Sequence, residues 1–330
     1  MTIAEKFILT NSSGITAQLL NYGATLASFK IPTANNQMRE ITLGFDTLEQ
    51  YLKHEFYFGC TVGRVANRIK NGSFSHQQKI YQLACNEKNH HHLHGGIKGF
   101  DKVIWQAKSF QETNATGVEF NYLSKDGEEG YPGNLYVKVT YTLTNNNELK
   151  INFLAQTDKP TPVNLTNHAY WNLAGAGSGS ILNHEVQLFS ASYLEIDKNL
   201  IPTGEIKSIT DTAYDFSFPK LIGKNFDEVN GYDNCYVLPD AQKKLQLAAR
   251  VRESNITMEV FTTQPGMQFY TGNNLRPFSI ADNKQIERWS GFCLETQGFP
   301  DAINHPHFPT IMLLPNESYQ HETIYAFDFS

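Results

Sequence analysis

What the sequence lacks narrows it first. No apolar stretch approaches the ~18 residues that cross a bilayer as a helix. The opening "MTIAEKFILTNSSG" carries no basic segment followed by an apolar run and a small-residue cleavage site. A cytoplasmic protein without a membrane partner is therefore expected. Basic blocks are missing too, and a formal net charge of −6 with a pI near 6.0 leaves no electrostatic footprint for nucleic acid. The few cysteines, Cys60, Cys85, Cys235 and Cys293, lie far apart with no C-x-x-C pair. That argues against a disulfide framework and predicts buried free thiols. Long helical periodicity is scarce, no fixed-period repeat is visible, and Pro, Gly and Ser do not gather into a linker. "LAGAGSGS" (Leu173 to Ser180) is short and reads as a surface loop. With 330 residues, 40% of them hydrophobic, a single domain over 1–330 with a substantial core is expected.

What is present is strand. "TGVEFNYLS" (Thr116 to Ser124), "YVKVTYTL" (Tyr136 to Leu143), "LKINFLAQT" (Leu149 to Thr157) and "NITMEVFTT" (Asn255 to Thr263) alternate apolar and polar residues and are rich in β-branched and aromatic types. The polar "TNNNE" (Thr144 to Glu148) between two of them predicts a hairpin. The best helix candidate, "TLEQYLKHE" (Thr47 to Glu55), is short. Many short strands with few helices predict an all-β protein, a large antiparallel β-sandwich.

Chemistry concentrates in four segments. "GCTVGRVANRIKNG" (Gly59 to Gly72) offers Arg64, Asn67 and Arg68, which suit either a polar ligand or loop carbonyls. "NEKNHHHLHGGIKGF" (Asn86 to Phe100) packs His90, His91, His92 and His94 before a double glycine that permits a tight turn. In an extended chain His90, His92 and His94 share one face, so a metal site, a catalytic element and a solvated loop all remain open. If "TPVNLTNHAYWNLAG" (Thr161 to Gly175) is extended, Asn164, Thr166, His168, Tyr170 and Asn172 share one face, while Leu165, Ala169, Trp171 and Leu173 share the other. The first face suits a polar ligand and the second a core. In "SGFCLETQGFPDAINHPHFP" (Ser290 to Pro309), Glu295 sits in so apolar a run that it must be paired, hydrogen-bonded or functional. Asp233, Gln264 and Gln268 add weaker signals.

Taken in order, "GRVANRI", "HLHGG", "NLTNHAYWNL", "TTQPGMQFYTGN" and "GFCLETQGFPDAIN" run from about residue 59 to 305, and the chain carrying them resembles the aldose 1-epimerases, also called galactose mutarotases. The resemblance implies one galactose mutarotase-like β-sandwich and a monosaccharide substrate, with no metal and no cofactor, in a monomer or homodimer. It also implies interconversion of the α and β anomers of free aldohexoses such as galactose and glucose. By the same resemblance His168 is the general acid and Glu295 the general base, while Asn67, Arg68, His94, Asp233 and Gln268 contact the sugar. The familiar form has His after that Asp, where this chain has Asn234. His90, His91 and His92 fall to loop surface or outer support, and Tyr170, Trp171 and Phe299 to the sugar's C–H face or the core. The alternatives are a sugar-binding module without catalysis and a hexose-6-phosphate 1-epimerase. A glycoside hydrolase is disfavoured, since it usually needs two opposed carboxyls.

Overall fold

The computed structural model describes residues 4–33, 37–53, 56–239, 244–280 and 284–329. The alternating segments form strands as their period requires. Ala115–Ser124, Leu135–Thr144, Glu148–Thr157 and Ile256–Thr262 all lie in a nine-stranded sheet. Its order is Gln106–Glu112, Ala115–Ser124, Leu135–Thr144, Glu148–Thr157, Tyr319–Phe329, Ile256–Thr262, Gln246–Glu253, Glu185–Leu188, Lys220–Leu221, and every neighbouring pair is antiparallel. The expected hairpin joins Leu135–Thr144 to Glu148–Thr157, with Asn147 at φ +62° in its turn. A five-stranded sheet, Pro202–Ser208, Ser192–Ile196, Asp233–Val237, Gly266–Tyr270, Cys293–Gln297, and a four-stranded one near the N-terminus are also antiparallel.

Alternation decides what the sheets bury. Leu135, Val137, Val139, Tyr141 and Leu143 point inward from one strand and join a core that reaches from Leu9 to Phe327. Each such side chain contributes about 1.5–3 kcal/mol when fully buried. Trp171 packs edge-on to Phe29 in the same core.

One expectation is met over its described residues and one changes. The helix is Leu48–Lys53, capped by a reciprocal pair in which Gln50 N–H donates to Thr47 Oγ1 and Thr47 N–H to Gln50 Oε1; His54 and Glu55 lie outside the described residues. All four cysteines are free, but only Cys60, Cys235 and Cys293 are buried, because Cys85 sits in a half-buried irregular stretch beside Gly72. Among the described residues no helix is long and apolar enough to cross a membrane.

Candidate active site

Three expected residues meet through sheet register alone. Glu295 pairs with Gln268, Gln268 with Cys235, and Asp233 with Tyr270. Cross-strand partners share a face and side chains two apart return to it. Asp233, Gln268, Tyr270 and Glu295 therefore stand on one face of the five-stranded sheet. The opposite face carries Tyr236, Phe269 and Leu294 into the core. Asn234 belongs to that opposite face and is buried, so the departure from the familiar His lies behind Asp233 rather than beside it.

The facing wall comes from loops. His94 is held at φ +50° between strand and turn. Its N–H donates to Asn67 O (3.0 Å), and Asn67 N–H donates back to His94 Nδ1 (3.2 Å). Because Nδ1 accepts, the neutral ring carries its proton on Nε2, a donor with no hydrogen-bond partner among the described residues. The double glycine has a steric reason: a Cβ on Gly95 would stand 1.7 Å from Gly63 O. Arg68, next to Asn67, is gripped by Glu87 through Nε to Oε2 and Nη2 to Oε1, both 2.8 Å.

His168 arrives on the third segment, which pairs with other strands only in short pieces, Thr161–Pro162 with Met312–Leu313 and Thr166–Asn167 with Thr61–Val62, and residues 161–173 are buried throughout. Leu165, Ala169, Trp171 and Leu173 do face the core. Of the polar row, only His168 and Tyr170 reach the cavity. Asn172 donates to Gly179 O and Ser290 O. Asn164 clips both backbone groups of one residue, accepting from Gly298 N–H (2.7 Å) and donating to Gly298 O (3.1 Å). That clip fastens the His168 segment to the end of the Glu295 strand.

Together these residues enclose a cavity of about 180 Å³, lined by Asn67, Arg68, His94, His168, Asp233 and Glu295 with the rings of Tyr57, Tyr170 and Tyr270. It is smaller than the ~300–1,000 Å³ of drug-sized sites, as a small polar ligand requires. Gln268 lies one layer beneath and donates to Asp233 Oδ1 (2.7 Å). Glu295 Oε2 is 3.7 Å from His168 Nε2, and both side chains are almost fully buried. Burial pushes the Glu295 carboxyl well up, Asp233 adds to this, and Arg68 opposes it. Burial lowers His168 to about 4. It also pushes His94 well down, aided by His168 and Arg68. Asp233 is raised by burial against the pull of Arg68 and Gln268.

Other candidates fall away for physical reasons. Arg64 spends its guanidinium on Ser124 Oγ and O, Lys125 O, Pro132 O, Gly133 O and Thr161 Oγ1, so it ties loops together. Gln264 donates to Tyr319 Oη, away from the cavity. Phe299 packs in a separate cluster with Phe308 and Trp171 in the main core, so neither lines the cavity. The histidine run is dispersed. His90 is exposed, His91 Nδ1 accepts from Asn71 N–H, and His92 spans Ala84 O (2.8 Å) and Tyr131 Oη (2.6 Å). Among the described residues, the His/Cys/Asp/Glu group spaced to hold an ion is His94, His168 and Glu295, whose atoms lie within 4.8 Å of one another.

Sequence reasoning missed Tyr57, Glu87 and Tyr270. Tyr57, at φ +59°, sets its ring 4.8 Å from His94 and 5.8 Å from His168. No local pattern signals it; Glu87 at least lay inside the histidine segment.

Residues 5–326 match the aldose 1-epimerase family. The chain is 46% identical to galactose mutarotase from Bos taurus, over 98% of this chain and 94% of the relative. It is 36% identical to aldose 1-epimerase from Escherichia coli K12, over 97% and 94%. Its structure is similar to that of a GalM/aldose epimerase homologue from C. elegans, with a TM-score of 0.91, 32% identity and 99% of each chain covered. A galactose 1-epimerase from Lactobacillus acidophilus NCFM superposes with a TM-score of 0.85 at 28% identity, covering 100% and 99%. Motif order, antiparallel architecture and full-length similarity agree: the chain belongs to the aldose 1-epimerase family, isomerases that interconvert the anomers of aldoses.

Proposed function

We propose that Glu295 and His168 carry the anomer exchange on a free, unphosphorylated aldohexose, with Asn67, Arg68, His94 and Asp233 binding it and Gln268, expected as a sugar contact, orienting Asp233 from beneath. One observation supports this above the rest. A buried carboxylate oxygen, Glu295 Oε2, has no hydrogen-bond partner among the described residues and stands 3.7 Å from an imidazole nitrogen at the cavity wall. Buried polar atoms are rarely left so. A sugar hydroxyl supplies the missing donor.

The proton count closes. Burial disfavours the charged form of each group, raising the Glu295 carboxyl and lowering His168, and a carboxylic acid beside a neutral imidazole holds one proton. Ring opening needs carboxylate and imidazolium, which hold the same number. Hydroxyls donating to Oε2 stabilise the carboxylate, and the rings of Tyr57 and Tyr170, within 20° and 22° of parallel to His168, favour its cation. Glu295 then removes the C1 hydroxyl proton, the bond from C1 to the ring oxygen breaks, and His168 protonates that oxygen. Rotation about C1–C2 turns the aldehyde, and the same steps in reverse close the other anomer. Each proton transfer contributes ~10²–10⁴-fold. His94 Nε2–H and Arg68 offer donors where negative charge develops on oxygen.

Cavity charge favours an uncharged sugar. Arg68 is the one Lys or Arg among the described lining residues, against Glu87, Asp233 and Glu295. The same reading takes residues 1–330 as one domain, supported by the continuous core. Polarimetry on fresh α-D-galactose and α-D-glucose tests it. Wild type is expected to speed relaxation to an unchanged final rotation and Glu295→Gln to lose most of that acceleration. Full activity in Glu295→Gln overturns the base assignment; no acceleration by wild type on any aldose overturns the reading.

A further inference from the structure

From its grip on Arg68 we infer that Glu87 determines substrate specificity: it aims one edge of the guanidinium into the cavity and cancels its charge, so the site accepts neutral aldoses and rejects phosphorylated ones. This rests on the reading of the cavity as a sugar site. Glu87 is placed with unusual firmness for a loop carboxylate. It opens a tight turn closed by Glu87 N–H to His91 O (3.0 Å) and His91 N–H to Glu87 O (3.1 Å). The preceding Asn86 ties that turn to the His94 strand, donating to Leu93 O and Gly96 O and accepting from Leu93 N–H. Arg68 and Leu93 are themselves strand partners. Acid, arginine and His94 therefore share one rigid frame.

The fork fixes direction. With Nε and one Nη2 hydrogen engaged by Glu87, the donors left to a ligand are those of Nη1 and the second Nη2 hydrogen. Arg68 is buried and stays charged, because Asp233 and Glu87 together outweigh its desolvation. His94 and His168 are both held neutral by burial. A phosphate dianion would thus meet the charge of Glu87 beside a single cation already paired with it, and no positive charge from Asp233 or Glu295. A neutral sugar meets oriented donors and acceptors without that repulsion.

Charge and geometry are separable. Glu87→Gln keeps the shape and one acceptor but removes the charge; Glu87→Asp keeps the charge but shortens the reach. The assay is polarimetric mutarotation of α-D-galactose, with anomerically equilibrated galactose 6-phosphate as inhibitor. For Glu87→Gln the inhibition constant is expected to fall about tenfold or more relative to wild type. For Glu87→Asp it is expected to stay at the wild-type value while KM for galactose rises several-fold and kcat moves less. Sugar-phosphate inhibition unchanged in folded Glu87→Gln, or equal shifts in both variants, overturns the inference. Thermal melting establishes folding, and if Glu87→Gln does not fold, an unchanged KM in Glu87→Asp overturns it instead. Wild-type acceleration with galactose is read first, so failure there counts against the sugar-site reading and not against Glu87.

Discussion

Glu295 and Gln268 face each other across two antiparallel strands, and each keeps one buried oxygen, Oε2 and Oε1, without a partner among the described residues. Two adjacent orphaned acceptors, one in the cavity wall and one just behind it, cost stability, ~1–3 kcal/mol for each desolvated group. A ligand rich in hydroxyl donors relieves that cost on binding. Saturating galactose should therefore raise the thermal midpoint of wild type. In Glu295→Gln the ligand-free midpoint should equal or exceed that of wild type, because a buried acid has been removed. A lower ligand-free midpoint in that variant would show the carboxyl to be structural.

His94 presents a neutral Nε2–H because Nδ1 is committed to Asn67. His94→Ala should lower kcat by ~10²–10³-fold with a smaller change in KM, the pattern of a lost donor to developing charge. A change confined to KM would make His94 a ground-state contact only.

Acid should destabilise the fold through its buried histidines. His92, His168 and His184 are each lowered by burial from about 6.5 to about 4. The unfolded chain thus binds more protons as pH falls through that window, and stability present above about pH 6.5 is lost towards pH 4. Glu295 and Asp233 are raised and act in the opposite sense, their contribution being lost as pH rises through their folded values. Melting points measured across this range should decline toward acid, and less steeply in His184→Gln, which lacks one such group outside the cavity. An identical slope in that variant would count against the histidine origin.

Arg64 should matter to folding and not to chemistry. Arg64→Met strands several loop carbonyls and should cost ~3–5 kcal/mol in a urea melt. The folded fraction should keep its kcat. A selective loss of kcat would connect this loop knot to the reaction.

Chelation tests the trio of His94, His168 and Glu295. Dialysis against a strong chelator should leave the mutarotation rate unchanged. Loss of activity restored by one added metal would reassign these three as its ligands.

The sheets were legible because alternation is a local property. Val137, Val139 and Tyr141 point inward wherever the strand goes. The same reasoning overreached at Thr161 to Gly175, where both sides of the segment are buried and Asn164 and Asn172 serve backbone groups. Glu295 stood out because a carboxyl in an apolar strand is costly. Tyr270 did not, and Gln268 only weakly, since both come beside it by register between strands distant in sequence. Family motifs supplied His94, whereas Tyr57 and Glu87 emerge only once the loops are folded around them.

The clip between Asn164 and Gly298 gives this architecture a division of labour. It pins the segment bearing the proposed acid to the strand bearing the proposed base through backbone and one carboxamide. Phe56, which also lines the cavity, lies on a separate piece of chain. Sugar preference can therefore drift, or be redesigned, by changing such a lining side chain while the gap between the two proton-transfer groups stays gauged by the scaffold.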